Sequence, residues 1–462
     1  MKRIMTLAIA LILLALSACG RETATLRTSA IAPTGTPPWP ARDYPSIFQA
    51  WSPVENRPGE DPLDLMARHD LIFSSAEDLL GISWQPEPGR QYRGLMTRLD
   101  SSQMQAAAAR RQQLLARNPH ILLLVELSYH TRLYVPKERE SPHWWENGYY
   151  PPDSPYWLRD EKGQPVLSWG EDTNADGVVD EMDSRIGYLI DFTNEEVQDL
   201  VAAQALALKE SGLFDGIMLD LWNDYYATTG SMIGGVWRPI LSSNAELEAR
   251  LNILKKIRAK VGDDFLILVN SNYLRIPRSA PYVNGVFMEC FKDHDKGYTV
   301  SRLQQMERTL SWAEENLKEP RINCLEGWRV VYDLRADRDT RVAERDSEEN
   351  QRWMRLITTL SLTHSDGYVL FGDDNALPVE DHLHNWYDFW DARLGLPVSA
   401  KAETYGGIEG LFMREFTGGW AVYNRSGSAI ELSFSSPVTG AHNGLSASTH
   451  IIADMDGEIY LK

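Results

Sequence analysis

Cysteine is nearly missing from this chain. Three occur in 462 residues, Cys19, Cys290 and Cys324, too few and too scattered for a disulfide framework or a Cys-x-x-Cys pair. No Gly-rich phosphate turn follows the first predicted strand, and no Ser nucleophile elbow is present. His130, His143, His294, His364, His382 and His384 form no metal spacing with carboxylates on one helix. These absences weigh against a doubly wound nucleotide-binding sheet, a serine hydrolase and a zinc enzyme. Positive charge is short as well. Lys and Arg number 46 against 65 Asp and Glu, a net charge of -19 that disfavours nucleic acid or an anionic bilayer as partner. No repeat of fixed period stands out.

What is there begins with an export signal. Lys2 and Arg3 precede an apolar run, 4–16, too short for a comfortable transmembrane span, and Leu16-Ser17-Ala18-Cys19 ends it with small residues. Those four residues resemble the lipobox of bacterial lipoproteins. The resemblance implies a signal peptide over 1–18, cleavage before Cys19 and diacylation of its thiol. Because Gly20 and Arg21 lack the Asp that retains such proteins at the inner membrane, it also implies a lipid anchor in the outer membrane. An uncleaved anchor or an ordinary secretory signal is the alternative. Residues 19–41, rich in Thr, Ala, Ser and Pro, read as a flexible tether.

From 42 to 400, strand-like and helix-like segments alternate. Strands are predicted at 46–51, 70–74, 121–127, 215–222, 265–270, 284–291, 321–328 and 367–373, with helices at 101–117, 193–211, 244–261, 303–317 and 347–362. Thr193-Asn194-Glu195-Glu196 matches a capping box. Eight apolar strands, most followed by a helix, predict an α/β fold of the (β/α)8 TIM-barrel type, with an insertion over 131–190. After about residue 401 the helices stop. Short strands at 411–416, 419–424, 429–434 and 458–461 predict a small antiparallel, β-sandwich-like domain over 401–462. Strand parity turns Cys290 outward and Cys324 inward, so two free, buried thiols are expected, with a disulfide as the alternative.

Polar residues recur at the C-terminal ends of the strands: Glu126, Asp220, Asn270, Glu289, Glu326 and Asp373. In a barrel those ends share the active rim. Asp220 closes Asp215-Gly216-Ile217-Met218-Leu219-Asp220, and Glu289 closes Asn284-Gly285-Val286-Phe287-Met288-Glu289. Glycosidic cleavage needs one carboxylate for the anomeric carbon and one carboxylic acid for the leaving oxygen, and these two fit. A structural cap for Asp220 and a plain ion pair for Glu289 are the alternatives. Glu126 and Glu326 are runners-up for the acid, or substrate and support groups. Asp191 either binds a sugar hydroxyl or fixes a helix start. Trp222, Asn223, Tyr225, Asn270, Trp328 and Asp373 complete the expected substrate-binding set. The insertion adds Trp144, Trp145, Tyr149, Tyr150, Tyr156, Trp157 and Trp169, which suit pyranose rings or pack a small core of their own.

A second chemistry lies in the same insertion. Asp172, Asn174, Asp176, Asp180 and Asp183 place oxygen side chains at positions 1, 3, 5, 9 and 12 of a loop, with Gly177 at 6 and the Val178 carbonyl at 7. That pattern predicts a structural Ca2+ site. It resembles the loop of EF-hand and dockerin modules, without their helical flanks. A solvated acidic turn is the alternative.

Taken with Asp191-Phe192-Thr193-Asn194 before a helix, the two strand motifs make the chain resemble the hypothetical glycosyl hydrolase families related to endo-α-1,4-polygalactosaminidases, above all hypothetical glycosyl hydrolase family 15. The resemblance covers about 45–395. It implies a retaining hydrolase of an α-linked polysaccharide, with galactosamine-containing polymers among the substrates, Asp220 as nucleophile and Glu289 as acid/base, and no organic cofactor. The calcium loop and the Trp-rich insertion depart from the general pattern. Two other classes fit the same residues: a non-catalytic glycan-binding surface lipoprotein on a degenerate barrel, and a calcium-stabilised assembly component of an exopolysaccharide system.

Overall fold

Eight strands built on four- or five-residue apolar runs, with one shorter opening strand, pair in parallel: β1 (Phe48–Ala50), β2 (Leu71–Ser74), β3 (Leu122–Glu126), β4 (Gly216–Leu219), β5 (Leu266–Asn270), β6 (Gly285–Glu289), β7 (Cys324–Trp328) and β8 (Tyr368–Gly372). Their spatial order is their chain order, and a parallel bridge from Ile47 to Val369 joins the last strand to the first. The protein is a (β/α)8 barrel with a C-terminal antiparallel β-domain. The computed structural model describes residues 42–86, 92–133, 150–151, 153–170, 186–233, 236–290, 292, 297–333, 335–373 and 379–462. The export signal, Cys19, the tether and the calcium loop with Asp172, Asn174, Asp176, Val178, Asp180 and Asp183 lie outside them. So do Trp144, Trp145, Tyr149 and the side chain of Trp169.

The motifs that open the strands are structural. Asp215, just before β4, accepts a hydrogen bond from the Leu123 amide of β3 (2.9 Å) and pairs with Arg111 on a neighbouring helix (2.8 Å). Asn284 repeats the device before β6, accepting from the Ile267 amide at 3.1 Å. A glycine must follow each. A Cβ at Gly216 would lie 2.4 Å from the Leu266 carbonyl, and one at Gly285 would lie 2.5 Å from that of Ile322. Each motif therefore reads as strand anchor, close approach, apolar run, rim carboxylate.

Inside the barrel the rings of Phe48, Phe73 and Phe287 fill the lumen, with centroids 5.1–5.9 Å apart. Burying each contributes roughly 1.5–3 kcal/mol. Arg42 seals the bottom, its guanidinium 4.2 Å from the Tyr368 ring. Cys290 and Cys324 are free and buried.

The helices are α1 (Pro62–Ala67), α2 (Ala76–Leu80), α3 (Met104–Arg117), α4 (Glu195–Ser211), α5 (Ser243–Val261), α6 (Val300–Asn316), α7 (Arg338–Glu344) and α8 (Glu348–His364). The cap of α4 is Asn194, accepting from Glu196 N, one residue beyond the capping box read from sequence. Thr193 instead donates to Asp191 at 2.5 Å. In the insertion, strands Thr131–Leu133, Ile186–Leu189 and Leu167–Gly170 form a small antiparallel sheet, and a hairpin of Gly230–Ile233 and Val236–Pro239 stands after β4. Tyr150 and Trp157 pack edge to face at 5.4 Å and join the barrel's core, while Leu158, Val166 and Leu189 form a small separate one. Among the described residues, no helix is long and apolar enough to cross a membrane.

The C-terminal domain has five strands: β9 (Leu411–Phe416), β10 (Gly419–Asn424), β11 (Ile430–Gly440), β12 (Ser446–Ile452) and β13 (Asp456–Leu461). They make one sheet, in the order β9-β10-β13-β11-β12, where the sequence pattern predicted a sandwich-like pair. One face carries a small core of Leu411, Val422, Leu432, Val438, Ile452 and Tyr460. The other covers α8, which explains why every α8 residue from Trp353 to His364 is buried. Ion pairs fasten the joint, the part-buried pair of Arg355 and Asp456 (2.9 Å) and the buried pair of Arg425 and Glu307 (2.5 Å).

Candidate active site

Parallel strands in a closed barrel put all their C-terminal ends on one rim, so residues far apart in sequence become neighbours. Register sets Glu289 of β6 opposite Glu326 of β7. Between β4 and β6 stands Asn270, at the end of β5. Its Nδ2 donates to Asp220 Oδ1 at 2.8 Å and to Glu289 Oε2 at 2.9 Å. One nitrogen therefore bridges the two carboxyl groups, whose facing oxygens can lie no farther apart than the two bonds laid end to end, about 5.7 Å.

The backbone around this bridge is held in unusual conformations. Trp51, Leu221, Asn272 and His382 all have φ between 46° and 62°, a left-handed region costly for non-glycine residues and concentrated at functional sites. Leu221 turns the chain immediately after Asp220. Tyr129 steadies that turn by donating to the Leu221 carbonyl at 2.9 Å, and the Trp222 amide donates to the Asn270 carbonyl at 2.7 Å. Buried Arg250, paired with Glu246 at 2.7 Å, in turn donates to the Tyr129 hydroxyl.

Three further groups complete the pocket. Glu126 Oε2 accepts from Trp51 Nε1 at 2.8 Å, and its Oε1 accepts from Ser128. Glu326, fully buried, lies 2.9 and 3.1 Å from His382 Nδ1. The other ring nitrogen of His382 is 3.7 Å from Glu289 Oε1 and 3.4 Å from Asp381 Oδ2. The ring itself lies against the Trp51 indole, centroid to centroid 4.9 Å.

This environment separates the two carboxyl groups electrically. Burial, and then the charge of Glu126, push Asp220 up to about 6 against hydrogen bonds from the Leu221 amide and Asn270. Glu289 is raised further, to about 8, by burial. The His382 charge pulls it down, while Asp220 and Glu326 push it up. Near neutral pH the first is a carboxylate and the second a carboxylic acid, the division of labour a nucleophile and a general acid require. Glu326 has no exposed surface to offer a leaving oxygen, whereas the Glu289 side chain keeps 20% of its own.

Not every residue expected on the rim reaches the pocket. Trp222 turns inward and is 2% exposed, with Nε1 donating to Ser279 at 2.9 Å and its ring against Tyr129. Alternation along the strand fails there because β4 ends at Leu219 and Leu221 reverses the chain. Asn223 is buried too, its side chain accepting from the Tyr225 and Tyr226 amides. Trp328 is buried with Lys292 5.3 Å from its ring centroid. Asp373 is wholly buried between Arg329 and Arg345. Asp191 accepts from the Thr193 amide and hydroxyl ahead of α4, the helix-start role. Tyr225 is half exposed at the surface. Two pocket residues escaped sequence reasoning. Trp51 ends β1 just as Asp220 ends β4, and counting strand-end indoles with the carboxylates would have found it. His382 arrives on a loop after the last strand and carries no local signal.

The profile of a family described as hypothetical glycosyl hydrolase family 15 matches residues 116–420. Similar solved structures include a noncanonic maltogenic alpha-amylase from Thermotoga neapolitana, at 12% identity over 90% of this chain and 98% of that one, TM-score 0.45. An alpha-amylase from Malbranchea cinnamomea is similar at 9% identity over 90% and 96%, TM-score 0.46. The glycoside hydrolase domain of PelA from Pseudomonas aeruginosa is similar at 10% identity over 72% and 96%, TM-score 0.38. No curated protein matches the chain.

Proposed function

The chain belongs to hypothetical glycosyl hydrolase family 15, and from that membership we propose that it is a retaining hydrolase of an α-linked polysaccharide. The observation that carries the reading is the Asn270 amide shared by Asp220 and Glu289. Facing oxygens no more than about 5.7 Å apart favour the roughly 5–5.5 Å spacing of double displacement over the roughly 6.5–9.5 Å that inversion uses. In the first step Asp220 forms a bond to the anomeric carbon as the glycosidic C–O bond breaks, and the Glu289 proton goes to the leaving oxygen. In the second, Glu289 takes a proton from water, the water oxygen bonds to the anomeric carbon, and the Asp220 ester bond breaks.

Galactosamine-containing polymers head the candidate substrates. Glu126, Asp381 and Asp220 crowd the pocket with negative charge, which favours a sugar bearing an ammonium group. The proposal extends to the chain's surroundings. Cys19 would carry the lipid that anchors the protein to the outer membrane, and Asp172, Asn174, Asp176, Val178, Asp180 and Asp183 would hold Ca2+, on the strength of residue spacing alone.

The test is reducing-end release from α- and β-linked polysaccharides, deacetylated galactosamine polymers included, by wild type, Asp220→Asn and Glu289→Gln, with the product anomer read by NMR. Release of the retained anomer that collapses in both variants is expected. Release of the inverted anomer overturns the mechanism. Binding of a polymer with no release would favour a glycan-binding protein on a degenerate barrel.

A further inference from the structure

When Asp220 bonds to the sugar, the negative charge it loses reappears on Glu289, which has just given up its proton. Glu289 is then an anion in a half-closed pocket already holding Glu326 and Glu126. An uncompensated carboxylate there would hold its proton too tightly to act as an acid.

The imidazole of His382 is placed to meet that charge. Both of its nitrogens face carboxyl oxygens: Nδ1 faces Glu326 at 2.9 and 3.1 Å, and Nε2 faces Asp381 at 3.4 Å and Glu289 at 3.7 Å. With the Glu326 carboxylate against Nδ1 and the Asp381 carboxylate 3.4 Å from Nε2, each nitrogen has an anionic oxygen within ion-pair reach, an arrangement that favours the protonated ring. Titratable groups face it from β7 (Glu326), from β6 (Glu289), from its own loop (Asp381 and His384) and, across the pocket, from just beyond β4 (Asp220). Trp51 and Phe287, with ring centroids at 4.9 and 6.0 Å, bring no charge and cover it with aromatic surface. Burial opposes the cation, but the Glu326 carboxylate, backed by Asp381 and Glu289, outweighs it and raises the imidazole to about 10.

The backbone is built for this contact. The His382 amide donates to the Asp373 carbonyl at 2.8 Å, and the Asp373 amide donates to the Leu383 carbonyl at 3.0 Å, which returns the chain over the end of β8. His382 itself has φ +62°. Beneath it, a Cβ on Gly372 would sit 3.0 Å from Glu326 Oε1 and 3.4 Å from the His382 carbonyl. The missing side chain is the space in which Glu326 and the loop meet.

We propose that His382, clamped as an imidazolium by Glu326, is a positioning residue that compensates the carboxylate form of Glu289, so that Glu289 can release its proton in the first step and act as base in the second. This rests on Glu289 being the acid/base. It assigns Glu326 a purpose other than contact with the substrate: it keeps the cation in place.

The experiment is a 13C NMR pH titration of the intact protein, labelled at glutamate Cδ and histidine Cε1, with signals assigned by Glu289→Gln and His382→Phe. In wild type the His382 signal is expected to stay that of imidazolium from pH 5.5 to beyond 8; a midpoint near the ordinary histidine value, about 6.5, overturns the proposal. In His382→Phe, which keeps a ring against Trp51, the Glu289 midpoint is expected to rise by about one unit or more. The alkaline limb of kcat should follow it, with kcat down about tenfold or more and KM within about twofold. A Glu289 midpoint that stays put or falls overturns the proposal. Glu326→Gln, a neutral isostere, should lower the His382 midpoint, and an unchanged midpoint counts against the clamp. The two readings fail separately. Full hydrolysis by Glu289→Gln would sink the acid/base assignment, whereas a dead Glu289→Gln beside an unmoved Glu289 midpoint in His382→Phe sinks only the role of His382.

Discussion

Asp220 and Asp373 occupy equivalent places, each one residue beyond the end of a barrel strand, and the structure gives them opposite surroundings. Asp373 is wholly buried and receives hydrogen bonds from two guanidiniums, Arg329 at 3.0 and 3.2 Å and Arg345 at 2.5 and 3.1 Å. Burial pushes its carboxyl up and the two arginines pull it down. A guanidinium has no acceptor, so a protonated Asp373 would have nothing there to donate to, and the ionised form is the one that fits. Asp220 instead shares a neutral amide with a second carboxyl group. The difference separates a carboxylate that fastens loops from one left with an unquenched lone pair. A cation on both oxygens spends the charge, whereas one shared amide positions it and leaves it available.

The strongest test of that contrast exchanges function for stability. Asp220→Asn and Glu289→Gln are expected to lower kcat by about 10³-fold or more, with melting temperatures at or above wild type. The sign follows from linkage. Both carboxyl groups titrate above their unfolded values, so ionising them costs folding free energy as pH rises through about 6 and about 8, and at pH 8 the neutral isosteres no longer pay it. Calorimetry at pH 8 checks this, and a marked drop in melting temperature would make these residues structural. Asp373→Ala should behave the other way, losing about 3 kcal/mol because two buried guanidiniums lose the carboxylate they share and keep only the more exposed Glu55 and Asp346 as counter-charges; denaturant titration reads it.

A third effect is on pH. The proposed mechanism uses Asp220 ionised and Glu289 protonated, so kcat/KM is expected to rise through about 6 and fall through about 8, roughly tenfold per unit outside those limits. A profile flat from pH 5 to 9 would contradict the electrical separation of the pair. The smallest expected effect lies farthest from the pocket. Removing Ca2+ with a chelator should lower the melting temperature by a few degrees, and equilibrium dialysis should find about one ion bound. An unchanged melt with no bound metal would return residues 172–183 to a solvated acidic turn.

The amino-acid sequence by itself determined the barrel and the line of rim carboxylates. Apolar runs of four or five residues are legible because a strand buried on both faces needs them, and parallel pairing gives every strand the same polarity. The residue that ends a run, whether Glu126, Asp220, Asn270 or Glu289, is therefore a rim residue wherever it falls in the chain, and register sets Glu326, in the middle of β7, level with Glu289. Tertiary structure decided what those residues do. Alternation predicts side-chain direction only while the strand continues, and the left-handed turn at Leu221 sent Trp222 and Asn223 into the core. Partners were beyond reach of local pattern as well. Asp373 became a fastening because Arg329 and Arg345 arrive from other segments, and Glu326 was withdrawn from substrate because His382 returns over Gly372 to meet it. Burial and pairing set whether a carboxyl group is a reagent or a rivet, and both depend on contacts between residues that the chain alone keeps far apart.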